Sequence, residues 1–111
     1  MKITNDKFLR EKENKIKFLL SQKEISYLNA FNFLYKHYSL KNLTGKAPIL
    51  HVFEAIYVKK INLPAWKLAI YCNVSRSTLF AYRNIIIKDF NVCLSANLFN
   101  QEVASTKGDN I

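Results

Sequence analysis

Four residues that readily break or reverse a chain, Gly45, Pro48, Pro64 and Gly108, are all that 111 positions contain. A β-sandwich or barrel turns every few residues and normally needs many more, so this scarcity favours helices from the outset. Half of the residues are hydrophobic and 14% are aromatic, which is ample material for a core. A chain of this length suits one domain and leaves little room for two.

Periodicity divides the chain into five helices. The first spans residues 5 to 20, with Asn5 as its cap and Leu9, Ile16, Leu19 and Leu20 as its apolar stripe. Ser21 and Glu24 have capping-box spacing, so a second helix is expected to start there and run to about Ser39. It is apolar on more than one face. That fits a central strut, or a homodimer face made of Tyr27, Phe31, Phe33, Tyr35 and Tyr38. Residues 40 to 47 read as a loop. Pro48 suits the first turn of a third helix that ends at Lys59-Lys60, and Pro64 opens a fourth from Ala65 to about Cys72. A fifth starts near Ser75 and reaches about Phe90. Beyond it, Val92, Leu94, Ala96 and Leu98 alternate with polar or small residues, which is strand periodicity. The expectation is an all-α domain over residues 1–99, to which residues 92–98 add a short strand or a truncated wing. A flexible tail follows over residues 100–111.

Seventeen Lys and Arg stand against eight Asp and Glu, a formal charge of +9. Such an excess favours polyanionic partners, with nucleic acid first and an anionic membrane surface second; a merely solvated basic surface is the plain alternative. The first helix carries too few aromatics opposite its charges for the membrane reading. The N-terminal segment is too charged for a signal peptide, and the apolar run from Pro48 to Val58 is broken by His51 and Glu54 and too short to span a bilayer. Cys72, Cys93, His37 and His51 form no CxxC and no metal-ligand spacing, so they read as free thiols and ordinary histidines of a cytoplasmic protein. There is no glycine-rich phosphate loop, no nucleophile–base pairing and no paired carboxylate site. No enzyme, cofactor or metal is expected.

The stretch from Leu68 to Phe80, "LAIYCNVSRSTLF", carries the functional signal. Two helices crossing steeply over a short turn need a small residue in the first, and Ala69 supplies it. The turn needs a residue tolerant of left-handed backbone angles, for which Asn73 is the best substitute for glycine. Val74 can pin the turn to the core, and Ser75 can cap the second helix. Leu68, Cys72, Leu79 and Tyr82 fall where the two helices should share a small core. Amphipathic helix pairs of this kind also occur in domains that bind no DNA.

In this order and register, Leu68-Ala69, Asn73-Val74-Ser75 and Thr78-Leu79 resemble the helix-turn-helix of bacterial regulators over about residues 61 to 90, with Asn73 in place of the usual glycine. Over residues 68 to 94 the chain also looks like the Mga-type regulators of Gram-positive bacteria, which run a Ser-Arg-Ser-Thr-Leu helix into a Phe-Asn segment and a strand. It lacks their large regulatory domains, so nothing about phosphorylation or sugar sensing transfers.

Helix-turn-helix geometry over residues 65–90 would place the second helix in the major groove of double-stranded DNA. Its base-facing residues would be Ser75, Arg76, Ser77, Thr78, Phe80, Ala81 and Asn84. Arg76 suits guanine and Asn84 adenine, whereas Phe80 would meet a thymine methyl or pack against a partner. Lys59, Lys60, Lys67, Arg83 and Lys88 are placed to neutralise phosphates. The function expected is sequence-specific DNA binding by a small transcription regulator, or by an accessory factor of a plasmid, phage or other mobile element. The competing expectation is a helical protein-interaction module, such as an inhibitor of a host protein.

Overall fold

Leu9 and Ile16, seven residues apart, are both buried, and they define the inner face of α1 (Lys2–Ser21). The computed structural model describes the backbone of residues 2–42 and 48–109, and the side chains of residues 6–41 and 48–96. α1 ends in a hydrogen-bonded reversal with Lys23 in the left-handed region at φ 58°. The amides of Lys23 and Glu24 donate back to the carbonyls of Leu20 and Leu19, which satisfies the last turn without glycine. The expected capping box does not form. Ser21 belongs to α1, its hydroxyl donates to the Phe18 carbonyl, and α2 (Ile25–Asn42) starts beyond the reversal.

α2 buries Ala30, Leu34 and Tyr38, four residues apart, as one stripe. Of the five aromatics expected as a dimer face, Tyr38 is fully buried and Tyr27, Phe31 and Tyr35 are half-buried; Phe33 alone is exposed. α2 therefore uses its aromatics internally. The helix that touches all the others is α5.

α3 (Pro48–Phe53) widens into a π-turn over Glu54–Val58. The Lys59 amide reaches the Glu54 carbonyl and the Ile61 amide reaches Ala55, with Lys60 left-handed at φ 54°. The wider turn rotates the chain so that Ala55, Ile56 and Tyr57 are all buried after Val52 and Phe53. Phe53 is the hub of the core. Its ring lies 5.3 to 6.2 Å from those of Phe31, Tyr35, Tyr38, Tyr57 and Phe90. Tyr35 donates to Glu54 and Tyr38 to Asp89, tying α2 to the π-turn and to α5. The Tyr57 hydroxyl is buried without a partner among the described residues.

α4 (Ala65–Cys72) lies where the sequence places it. α5 (Arg76–Asp109) runs far past Phe90, and no strand occurs among the described residues. Residues 92–98 are helical rather than a strand or wing, and α5 also covers residues 100–109 of the expected tail. A lone strand would have no edge to pair with, whereas helix satisfies each backbone group internally. The inner face continues at helical spacing through Ile86, Phe90, Cys93 and Leu94. Of the loop expected over residues 40 to 47, residues 40–42 instead continue α2, and residues 43–47 lie outside the described residues. Among those described, no helix is long and apolar enough to cross a membrane.

Candidate nucleic-acid interface

The corner between α4 and α5 is built as its residue types require. Pro64 precedes α4 and its carbonyl accepts from the Leu68 amide, opening the helix without a side-chain cap. Leu68, Ala69 and Cys72 are buried on one side, and α5 answers with Leu79 and Ile86. Ala69 is 3% exposed at the crossing. Asn73 adopts φ 59° and ψ 45°, its amide donates to Ile70, and that of Val74 donates to Ala69 at 3.0 Å. This is the same closed reversal as at the end of α1, with the residue type that tolerates it best after glycine. Ser75 then caps α5: its hydroxyl accepts from the Thr78 amide at 3.1 Å and donates to the Thr78 hydroxyl at 2.9 Å.

Of the expected base-facing residues, Ser75, Arg76, Ser77, Ala81 and Asn84 are exposed along the first turns of α5. Thr78 is half-buried and engaged in the cap. Phe80 is half-buried against the chain's own core, its ring 5.4 Å from the Arg83 guanidinium. The Asn84 amide donates to the Phe80 carbonyl, so it must leave that bond before reading a base.

Lys59, Lys60, Lys67 and Lys88 are exposed, as phosphate contacts must be. Lys59 donates to the Tyr71 hydroxyl, and the Lys67 ammonium sits 5.3 Å from the Trp66 ring centre. Arg83 is not among them. It is 1% exposed and makes two hydrogen bonds of 2.8 and 2.9 Å to Glu13 and a third of 2.8 Å to Asp6. Its partners are carboxylates of α1, and no surface remains for a phosphate. Burial penalises its charge, but Glu13 and Asp6 more than offset this and keep it protonated. Burial likewise works against Asp6, yet hydrogen bonds from Arg83 and Arg10 hold its carboxyl below the usual range. Arg10 completes the cluster, bonding to Asp6 at 3.0 Å and to the Leu63 carbonyl at 2.6 Å. α1 thus clamps both α5 and the connector before α4.

This clamp escaped the sequence reading, although a signal for it exists. Glu13 lies between Leu9 and Ile16 on the apolar stripe of α1, and a carboxylate there needs a buried cation. Among the described residues, no group of three or more His, Cys, Asp and Glu side chains could hold a metal ion. Both cysteines are free thiols. Burial pushes the Cys72 thiol up, and it points a weak hydrogen bond at the His51 carbonyl.

Comparison with known proteins leaves this geometry to stand by itself. No protein-family model matches the sequence, and no curated protein or solved structure matches it.

Proposed function

We propose that the chain binds double-stranded DNA with sequence preference through the α4–α5 corner, the first turns of α5 entering the major groove. The observation that carries this reading is the corner itself: Ala69 buried at the crossing, Asn73 left-handed and Ser75 capping a helix whose next exposed residues are Arg76, Ser77, Ala81 and Asn84. Arg76 is the base reader of this set and Lys59, Lys60, Lys67 and Lys88 are its phosphate contacts. The net charge of +9 supports the same partner. The role is that of a small transcription regulator or an accessory factor of a mobile element, acting in the cytoplasm, where both thiols stay reduced.

Selection of bound oligonucleotides from a random duplex pool tests the proposal. A recovered consensus is expected, and its affinity should fall with salt at a log–log slope of about −4 for the four lysines. No enrichment at low salt refutes it. One observation favours a second reading, a protein-interaction module: Trp66, Ile70 and Tyr71 leave the outer side of α4 apolar and exposed. A stable complex with one protein, without affinity for duplex DNA, would decide for that reading.

A further inference from the structure

Between α1 and the corner lies a cavity of about 400 Å³, within the size range of small-molecule sites. Such sites are usually mostly apolar, and this one is mostly polar. Its charged wall is Arg10, Glu13, Lys17 and Arg83, with the carboxamides of Asn14 and Asn62 at the rim. Ile56 and Leu68 supply apolar floor from the π-turn and α4.

The charges do not cancel. Three cations line the cavity against one carboxylate, and adding Asp6 behind Arg83 still leaves one positive charge in excess. The two arginines are committed: Arg83 to Glu13 and Asp6, Arg10 to Asp6 and Leu63. Lys17, Asn14 and Asn62 make no side-chain hydrogen bond or ion pair among the described residues. The excess charge therefore sits on Lys17, which is half-buried at the cavity and flanked by the exposed carboxamides of Asn14 and Asn62.

We propose that this cavity binds a small anion bearing a phosphate or carboxylate group, held by Lys17 with Asn14 and Asn62 and oriented by the field of Arg10 and Arg83. Burial lowers the Lys17 pKa; Glu13 opposes the shift, and the like charges of Arg10, Lys60 and Arg83 add to it. An anion at that point offsets both effects through its charge and the charge-assisted hydrogen bonds it accepts from the ammonium. The bound anion would join α1 to the connector carrying Asn62, and so add to the clamp on α4 and α5. The inference holds whether or not the corner binds DNA, because its donors lie outside the proposed interface.

Calorimetric titration of the full chain with sodium phosphate, and separately with sodium succinate, tests it against sodium chloride at matched ionic strength. Saturable binding of at least one of the two is expected, with a rise in Tm. Tighter phosphate binding identifies a phosphorylated ligand and tighter succinate binding a carboxylate. Lys17→Gln should weaken binding about ten- to hundredfold, the value of a charge-assisted hydrogen bond. Asn62→Ala, at an exposed connector position, should weaken it less without disturbing the fold, and Lys12→Gln on the exposed side of α1 should leave it unchanged. Absence of saturation beyond the chloride control overturns the proposal. So does folded Lys17→Gln protein that binds as the parent does.

Discussion

Glu13→Ala removes the carboxylate that takes two hydrogen bonds from Arg83 and leaves the guanidinium in place, 1% exposed. Breaking a buried pair from one side costs about 3–5 kcal/mol, because the remaining charge is dehydrated and unpaired. Asp6 still holds one guanidinium nitrogen at 2.8 Å and is itself partly exposed, so the lower end applies, about 3 kcal/mol. A domain of this kind has about 5–15 kcal/mol in total, so the loss is a large fraction of its stability. With a urea dependence of about 2 kcal/mol/M, the unfolding midpoint should fall by about 1.5 M. The double variant Glu13→Met with Arg83→Leu removes both charges and fills their volume, and should return to within about 1 kcal/mol of the parent. A loss below about 1 kcal/mol for Glu13→Ala is the value of a solvated pair. That result would refute the burial argument and restore Arg83 as a candidate phosphate contact.

Ala69→Leu should overpack the α4–α5 crossing and cost about 1–3 kcal/mol, measured by thermal unfolding; unchanged stability would mean that the helices do not meet there. Under the proposed function, Arg76→Ala should cost about 1–3 kcal/mol on the selected duplex and little on random DNA. Lys88→Ala should weaken both alike and lower the salt slope by about one, as binding titrations at two salt concentrations would reveal. Burial pushes the Tyr38 and Tyr57 hydroxyls well above their ordinary range, aided at Tyr38 by its bond to Asp89. Both contributions to stability are complete below the unfolded tyrosine pKa of about 10 and shrink as pH rises above it, by about 1.4 kcal/mol per pH unit for each tyrosine. Urea midpoints should therefore drop steeply above about pH 10, and Tyr38→Phe should make the drop shallower.

The α4–α5 corner was legible in the sequence because every constraint on it is local. Ala69, Asn73 and Ser75 act on neighbours within a few residues, and the backbone places them as their types require. The course of α5 beyond Phe90 was not legible, since Val92 to Leu98 satisfy a period of two and the deciding fact is the absence of a partner strand. Burial of Arg83 depends on contacts with α1, far away in sequence. On the surface of α5 a basic residue near an exposed row looks like a phosphate contact until Glu13 and Asp6 are found beneath it. Phe80 is half-buried by the same kind of distant contact, its ring lying against the core and 5.4 Å from the Arg83 guanidinium.

Glu13 and Arg83 are 70 residues apart, whereas the α4–α5 corner closes over a few. Closing so long a loop costs more chain freedom than closing the corner, so the clamp is entropically the costlier of the two to form. During synthesis at about 5–20 residues per second, Glu13 precedes Arg83 by about 4–14 seconds. For that interval Glu13 has no Arg83 to pair with, and its carboxylate remains in water. A leucine at position 13 would instead offer the unfinished chain an uninterrupted apolar stripe. The Glu13 carboxylate that helps lock the completed fold thus keeps the inner face of its first helix hydrated until the arginine it needs has been made.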